Sequence, residues 1–422
     1  MSRNLVYHKQ QNTTKMMHLT RIIWSIGHGA FYTERFEDID GKGTSFTAVY
    51  DCGAYQFGIR YEDILRSEID KFLGRLRNNV IDVVFLSHFD KDHVNGFRYL
   101  LSKNVTIRNL IIPNLSNEQL VCALLKNVVE EEPLDEDIRW FFSLLSNMEN
   151  RGDMRIVRIP DLRATTEHDE QIEHDILQIP NSILPKARFT LGRCRNGAPM
   201  WVYIPVYQSY NQTKSKRLYQ QILQAIDVPA SASFSEIFRE ILCFCSSPQK
   251  HKRLMQIYRG IYGNIGDNDF SMPVYSGLYS GKVAGEYCVH ADMFLREFHQ
   301  HFHMHVHMDY DSQNTFFSPK AINCLYMGDY EANKPGRLKR LKEHLGQYWY
   351  KVGLVQVPHH ASQNNHNIHL YHPGQICFAS VYDSNDCSYS IDVRNEIESL
   401  SSSFIKITEK SAPFVEEISL YV

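Results

Sequence analysis

The chain has 422 residues, of which 43% are hydrophobic and 22% are charged. This balance is typical of a globular protein with a sizeable core, and it excludes disordered, collagen-like and coiled-coil architectures for the whole chain. The 45 lysines and arginines nearly balance the 48 aspartates and glutamates. The net charge of −3 therefore gives no indication of nucleic-acid or membrane binding, so a basic surface would have to be local.

The sequence also predicts the compartment of the protein and the redox state of its cysteines. The sequence has no apolar run of about 18 residues, which a membrane span requires. The first 20 residues contain no apolar stretch of signal-peptide length, so we expect no secretion. The nine cysteines are odd in number and scattered, which predicts reduced, mostly buried thiols in a cytoplasmic protein. The 20 histidines direct attention to metal binding.

The first half of the chain alternates predicted strands and helices. Residues 18–60 are typical of strand, turn and strand, and apolar residues at helical spacing predict a helix over 61–78. Residues 81–87 form a short apolar run, the pattern of a strand buried on both faces. The further predicted elements are a helix at about 95–103, a strand at 106–113, helices at about 116–131 and 135–149, and strands at 154–160 and 200–208. This alternation favours an α/β protein with layered sheets.

The second half begins with a different pattern. Three consecutive amphipathic segments within 211–263 predict a helical insertion, and 267–289 is predicted as a loop because it is rich in Gly, Ser and Tyr. Strands are then predicted at 298–308, 322–329, 354–360, 375–382 and 403–408, with a helix at about 336–346. The predicted organisation is a first part of the main domain at 1–207, a helical insertion at 208–282, and the second part at 283–422.

The segment H-F-D-K-D-H directly after the predicted buried strand carries the strongest chemical pattern. It places four candidate ligands, His88, Asp90, Asp92 and His93, within six residues on a strand-to-helix turn. His88 and Asp90 are spaced to point the same way from an extended segment, and Asp92 and His93 can reach a second metal ion. A polar loop with an Asp N-cap would explain one such residue but not four.

These residues resemble the signature of the metallo-β-lactamase fold superfamily, H-x-H-x-D-H, with Asp90 in place of the second histidine. This H-x-D-x-D-H variant is similar to the hydrolase domain of the competence protein ComEC. Three more segments match in the family's order: V-Y-D-C-G at 49–53 precedes the signature, and M-G-D at 327–329 and V-P-H-H-A-S at 357–362 follow it. Gly27-His28-Gly29 stands where ComEC-type chains have G-Q-G, and we interpret it as a turn near the site. The resemblance covers about 20–207 and 290–422.

The resemblance implies an αββα four-layer sandwich with an inserted helical subdomain and two divalent metal ions, Zn or Mn. It implies the metal ligands His88, Asp90, Asp92, His93, Asp329 and His359, with His360 as the alternative to His359. Asp329 would bridge the ions, and His360 is the candidate general acid, because only one of the adjacent pair should coordinate. Asp92 is also a candidate catalytic residue, and Asp51 would orient a histidine.

One family ligand is missing from the sequence pattern. The family has a further histidine between the first motif and the Gly-Asp, and His168, His174, His251 and His290 are candidates without a convincing context. The carboxylate of Asp90 makes the site harder and shifts its preference from Zn toward Mn. Two such ions lower the pKa of a bridging water, so that hydroxide forms at neutral pH.

The resulting prediction is a metal-dependent hydrolase, with phosphodiester cleavage as a phosphodiesterase or nuclease favoured by the ComEC-type motifs. Two alternatives stay open: a hydrolase of a small ester or lactone, and a non-catalytic module that binds a protein partner through the helical insertion, as in a multi-protein defence system. A narrow pocket closed by the insertion would favour a small substrate, and an open basic groove would favour nucleic acid. No membrane partner is expected.

Two further patterns have competing interpretations. The histidines at 299, 301, 303, 305 and 307 would share one face of a strand, as an auxiliary metal site or as the polar face of an amphipathic strand. The second interpretation is favoured because a flat row does not close a coordination shell. A basic segment at 334–342 is either a track for a phosphate backbone or a solvated helix face.

Overall fold

The protein is a mixed α/β structure with two mixed β-sheets and helices. The computed structural model describes residues 16–40, 42–55, 61–130, 134–147, 154–164, 171–180, 183–193, 197–210, 212–263, 270–279, 284–295, 298–308, 322–383 and 390–421. Along these ranges no helix is both long enough and apolar enough to cross a membrane.

Seventeen strands form the two sheets of the described chain. In chain order the strands are β1 (Met16–Ile23), β2 (Gly29–Glu37), β3 (Phe46–Ala54), β4 (Val80–Phe85), β5 (Thr106–Pro113), β6 (Arg155–Ile159), β7 (Ile172–Asp175), β8 (Ala187–Arg193), β9 (Pro199–Pro205), β10 (Val274–Leu278), β11 (Ala284–Leu295), β12 (Phe298–Met308), β13 (Cys324–Tyr326), β14 (Leu354–Gln356), β15 (Ile376–Ser380), β16 (Ser403–Ile407) and β17 (Phe414–Tyr421).

The helices occupy the connections between these strands. In chain order they are α1 (Tyr61–Leu73), α2 (Lys91–Val94), α3 (Phe97–Ser102), α4 (Asn117–Glu130), α5 (Glu136–Ser146), α6 (Gln212–Ile226), α7 (Phe234–Cys245), α8 (Pro248–Tyr262), α9 (Arg337–Leu345), α10 (Pro358–Ala361) and α11 (Ile391–Ser399). Short 3₁₀ segments include Gly346–Lys351 after α9.

The first sheet has nine strands in the order β12-β11-β17-β1-β2-β3-β4-β5-β6. Strands β3 to β6 run parallel, and the others pair antiparallel. The predicted buried strand is confirmed, because β4 lies between β3 and β5 and its residues from Ile81 to Phe85 are all buried. The second sheet has eight strands in the order β16-β15-β14-β13-β10-β9-β8-β7.

Aromatic rings connect the two sheets. The ring of Tyr326 on β13 stacks on Tyr50 of β3, with ring centroids 4.8 Å apart, and on Tyr32 of β2 at 5.7 Å. Another apolar cluster joins the second sheet to α9 and α11, through residues such as Leu341 on α9 and Val355 on β14. The second sheet therefore packs against the first sheet and against helices.

The three helices predicted within 211–263 are confirmed as α6, α7 and α8. They pack on α4 and α5 and share one apolar core with the first sheet. The ring of Phe142 on α5 meets Phe234 and Phe238 on α7, and His251 on α8 bonds through Nε2 to the carbonyl of Val128 on α4. These helices therefore wall the side of the molecule where the first motif lies.

The prediction of a loop or an exposed return over 267–289 is wrong. Strand β10 lies within it, every one of its five residues is buried, and it pairs with both β9 and β13. Strand β11 begins at Ala284. Buried glycine, serine and tyrosine are accepted here because neighbouring strands satisfy the backbone, whatever the side-chain propensity.

The predicted histidine-rich strand is confirmed in its backbone as β12, the edge strand of the first sheet. Its side chains lie outside the described residues, so both interpretations of the histidine row stay predictions. The basic segment does not form a continuous track, because the side chain of Arg337 is fully buried and lies against Glu331 and the ring of Tyr330.

Candidate metal centre

The loop after β4 places the first motif at the carboxyl end of parallel strands, where ligand sites of α/β proteins commonly lie. Asp90 is the N-cap residue of α2, and Asp92 and His93 lie within this short helix. The connection is fixed against the end of β3. A Cβ on Gly53 would come within 2.6 Å of the backbone of residues 92 and 93, so a strand residue without a side chain is required for this close approach.

Asn95 joins the same turn to β3. Its amide accepts from the backbone N–H of Ala54 at 3.0 Å and donates to the Ala54 carbonyl at 2.7 Å. The backbone N–H of Gly96 donates to the carbonyl of Cys52. These bonds hold the end of α2 rigidly, which positions Asp92 and His93.

The second sheet supplies Asp329 and the paired histidines from the ends of neighbouring strands β13 and β14. Gln356 accepts from the backbone N–H groups of Met327 and Gly328, and the N–H of His359 donates to the Gly328 carbonyl. Segment α10 is a tight turn in which His359, His360 and the following alanine have φ between 50° and 60°. Left-handed backbone at three successive non-glycine residues is strained, and such strain concentrates at functional sites.

The motifs converge. The Nε2 atom of His93 lies 3.3 Å from Oδ1 of Asp329, and that of His88 lies 3.5 Å from Oδ2 of the same carboxylate. His359 Nε2 is 3.6 Å from Asp329 Oδ2, and His360 Nε2 is 2.9 Å from Asp92 Oδ2. Side chains separated by more than 230 positions therefore meet around one carboxylate.

The hydrogen bonds assign the Nδ1 atoms of these histidines as donors. His93 Nδ1 donates to Asp51 at 2.7 Å, and His360 Nδ1 donates to the Ser380 carbonyl at 2.8 Å. Because the hydroxyl of Ser87 donates to Asp51, it accepts from His88 Nδ1 at 2.8 Å. A neutral imidazole that donates through Nδ1 has a lone pair on Nε2.

His359 follows the same rule. Its Nδ1 donates to the Asn365 side-chain oxygen at 3.0 Å, and the amide nitrogen of Asn365 donates to the carbonyl of Asp329. Four Nε2 atoms therefore face carboxylate oxygens at 2.9–3.6 Å, where either a proton on the imidazole or a bound cation has to lie between them. In the described structure the buried Nε2 atoms of His88 and His93 make no hydrogen bond. The donor set of imidazole nitrogen and carboxylate oxygen fits Zn or Mn.

The pKa values of the clustered side chains also show that the site favours positive charge. Burial by itself lowers the pKa of His93, but Asp92, Asp329 and Asp51 together raise it well above its ordinary value. Burial and His93 oppose protonation of His88, yet Asp90 and Asp329 raise its pKa to about 9. The pKa of Asp329 is held well below its usual range by the surrounding histidines despite its burial. Bound cations would replace these protons.

Three-residue groups that could hold a metal ion occur twice in the described structure: His88, His93 and Asp329 form a buried one, and His28, Asp92 and His360 form a partly exposed one. His28 was not predicted as a ligand. Its Nε2 lies 3.6 Å from Asp92 Oδ2, and its ring lies 3.7 Å from that of His360. Burial and the neighbouring His360 lower the pKa of His28 to about 3, so its imidazole is neutral and can coordinate.

The predicted site residues therefore lie close together, but their positions favour His360 rather than His359 as a ligand. His360 is buried and contacts Asp92, as a ligand would, whereas His359 is about 31% exposed and lines the cavity described below. Among the candidates for the additional family histidine, His251 bonds to Val128 on α4 and His174 lies on β7. His168 and the side chain of His290 lie outside the described residues.

Asp90 has a different partner. Its Oδ2 lies 3.3 Å from His88 Nε2, but the same oxygen accepts from the ammonium of Lys126 on α4. Burial raises the pKa of this carboxyl, and Lys126 and His88 overcome that effect and lower it to about 2. Sequence reasoning had no reason to select Lys126, since a single lysine on an amphipathic helix is unremarkable in pattern.

A cavity of about 430 Å³ opens over these groups. Residues of the first motif form its floor, and α4, α5 and α8 contribute its walls. The residues that line it include the cations Lys91, Lys126 and Arg259 and the ring of Tyr258. Its volume is that of a small-molecule or single-nucleotide site, and α8 lines one part of it.

The sequence was compared with family models and with curated proteins, and neither comparison gives a match. The resemblance to the metallo-β-lactamase superfamily therefore depends on the motifs and their positions.

Proposed function

We propose that this protein is a metal-dependent hydrolase that cleaves phosphodiesters, with the four-layer αββα arrangement of the metallo-β-lactamase superfamily. The observation that carries the proposal is the set of four histidine Nε2 atoms that face the carboxylates of Asp92 and Asp329. The arrangement of two sheets in contact, with helices on the second, supports the fold assignment.

In this proposal two divalent ions, Zn or Mn, are held by the two groups. His88, His93 and Asp329 would hold one, and His28, Asp92 and His360 would hold the other. Asp329 Oδ1 lies 3.9 Å from His360 Nε2 of the second group. When bound, such ions lower the pKa of water and neutralise charge that develops on a phosphoryl group.

The chain's own residues bind and orient. Hydrogen bonds at Nδ1 fix the histidine rings, and their partners are Asp51, Ser87, Ser380 and Asn365. The cations that line the cavity, Lys91, Lys126 and Arg259, would attract an anionic substrate. His359, which is partly exposed in the cavity, is better placed than buried His360 to contact the leaving group of a substrate.

The cavity volume favours substrates that present one nucleotide at a time, or small phosphoesters and lactones. The second candidate function is therefore hydrolysis of a small ester or lactone. An open basic groove, which would favour a duplex, is not formed at 334–342 in the described structure, because Arg337 is buried.

The test is a cleavage assay of the purified protein with Mn²⁺ or Zn²⁺. Bis(p-nitrophenyl) phosphate, linear and circular single-stranded DNA, duplex DNA, RNA and a neutral lactone separate the candidates. We expect cleavage of the diester and of linear single strands before circular or duplex DNA. Cleavage of the lactone alone would support the second candidate instead.

A His93→Ala variant should lose metal and at least about 100-fold of the rate, because it removes a ligand whose orienting bond is already built. The matched control is His369→Ala, because His369 is exposed and belongs to neither of the two metal-binding groups. Cleavage that survives in an Asp92→Ala, His93→Ala double variant would show that the site lies elsewhere.

A further inference from the structure

Asp90 occupies the position of a metal ligand in the H-x-D-x-D-H pattern, but its closest contact is a lysine. The oxygen nearest to His88 Nε2 is Oδ2, and this is the atom that accepts from the Lys126 ammonium. A carboxylate oxygen neutralised by an ammonium group binds a divalent cation less well, since the two positive charges compete for one acceptor.

The placement of Lys126 is built into the packing. The following residue, Asn127, is buried, and its amide donates to the carbonyl of Phe89 at 3.1 Å and to that of Ala123 at 2.9 Å. These bonds join α4 directly to the loop that carries Asp90. The side chain of Lys126 is only 12% exposed, so its charge is held in place.

The remaining donors suffice without Asp90. Each of the two groups already offers three ligand atoms that lie within 4.8 Å of one another. Lys126, Asp90, Asp92 and Asp329 all line the same cavity. The ammonium therefore lies beside the metal-binding groups, in the cavity that a substrate would occupy.

We propose that Asp90 positions Lys126 as an oxyanion-binding residue of the cavity, and that Asp90 is not a metal ligand. The bound group is a phosphate oxygen of the substrate, which a nearly buried ammonium binds through a charge-assisted hydrogen bond. This inference rests on the proposed function for the identity of the anion, and it departs from the role that the family motif implies for Asp90.

Two readouts besides activity test it: metal equivalents after dialysis against Mn²⁺, by elemental analysis, and the affinity of the Mn²⁺-loaded protein for inorganic phosphate, by calorimetry. Asp90→Asn and Lys126→Met should keep the wild-type number of metal equivalents. Both should weaken phosphate binding by about tenfold or more, the effect of losing or misplacing one hydrogen bond to a charged group.

Two control variants calibrate the measurement. His93→Ala should lose metal, which shows that the assay detects ligand loss. Lys103→Met removes a lysine that pairs with Asp70 on the surface at 3.1 Å, and it should change neither readout. Thermal melts verify that each variant is folded, and Lys126→Met still tests the inference if Asp90→Asn does not fold.

The opposite pattern overturns the inference. If Asp90 is a ligand, Asp90→Asn loses a metal equivalent, and Lys126→Met binds Mn²⁺ more tightly because a competing cation is gone. Unchanged phosphate affinity in Lys126→Met also overturns it. A wild-type protein that binds Mn²⁺ and phosphate as expected but cleaves no phosphodiester contradicts the proposed function and leaves the role of Lys126 standing.

Discussion

Asp51 contacts both a histidine of the site and the start of the loop that carries the first motif. It is completely buried, has φ of 54°, and its carboxylate accepts from His93 Nδ1, from the hydroxyl of Ser87 and from the backbone N–H of Ser87. The sequence-based prediction that Asp51 orients a histidine requires such a contact, and Asp51 makes it with His93. The carboxylate both selects the tautomer of His93 and holds the end of the loop that begins the motif.

Replacing Asp51 by Asn should lower the affinity for Mn²⁺ or Zn²⁺ by about 10–100-fold, because an amide no longer secures the Nδ1–H tautomer of His93. The affinity can be measured by competition with a chelating dye. Asp82→Asn is the control, since Asp82 is a buried carboxylate of β4 that accepts from the N–H of Thr47 instead. Equal metal affinity in wild type and Asp51→Asn would contradict the orienting role.

Two residues of the site escaped sequence reasoning for different reasons. His28 stands alone between Gly27 and Gly29, so its pattern indicated only a turn. Its role becomes visible when the turn between β1 and β2 lies beside His360. Lys126 is 36 residues from Asp90 on an ordinary helix, and only packing brings the two together. Single residues carry no local pattern, whereas the four residues at 88–93 do.

At the scale of elements, α9 shows how a helix predicted as a basic surface is used. Arg337, Leu341 and His344 are buried against the second sheet, whereas Lys339 is about 80% exposed. The amphipathic pattern of Leu338, Leu341 and Leu345 predicted the helix correctly. It could not predict that two of its polar residues face inward.

We predict that buried His344 on α9 makes the stability of the fold sensitive to acid. Burial, with Arg188 and Lys186 nearby, lowers its pKa from 6.5 to about 4. The unfolded chain therefore binds a proton that the folded protein excludes, and stability present above pH 6.5 is lost as the pH falls toward 4. A gap of this size corresponds to about 3 kcal/mol.

The measurement is urea unfolding of the wild type and of His344→Gln at pH 7 and pH 4.5. Because glutamine does not titrate, the variant should lose less stability between the two pH values than the wild type. His369→Gln, at an exposed position, should behave as the wild type. Parallel losses in the wild type and His344→Gln would refute the assignment of acid sensitivity to this residue.

For the whole molecule, a buried polar network joins the two sheets. Arg21 on β1 bonds to Glu34 on β2 at 2.8 Å and to Glu416 on β17, and it donates to the carbonyl of Ile322 at 3.0 Å. Glu34 also accepts from three hydroxyl groups of the second sheet, those of Tyr203, Ser276 and Tyr326. The network fixes the registry of the sheets whose strand ends carry the site.

Arg21→Met should lower the free energy of unfolding by about 3–5 kcal/mol, because it leaves two buried carboxylates without their cation. Urea unfolding at pH 7 measures the change. Arg35→Met is the control, since Arg35 pairs with partly exposed Glu37 at the protein surface and should change stability by no more than about 1 kcal/mol. Similar losses in both variants would show that the network contributes little.

Metal equivalents should also fall in Arg21→Met if the registry between the sheets positions Asp329 over His88 and His93. Unchanged metal content in a destabilised but folded variant would confine the network to a role in stability.

What could be read from the sequence was local. Apolar runs and periodicity predicted most helices and strands, and the residues at 88–93, 329 and 359–360 were recognised because each motif is short and contiguous. The pairing of distant strands, the burial of β10 against its propensity, and the neighbours His28 and Lys126 were decided only by the folded chain. Those features depend on contacts between residues far apart in the chain, and such contacts leave no periodic or contiguous pattern in the sequence.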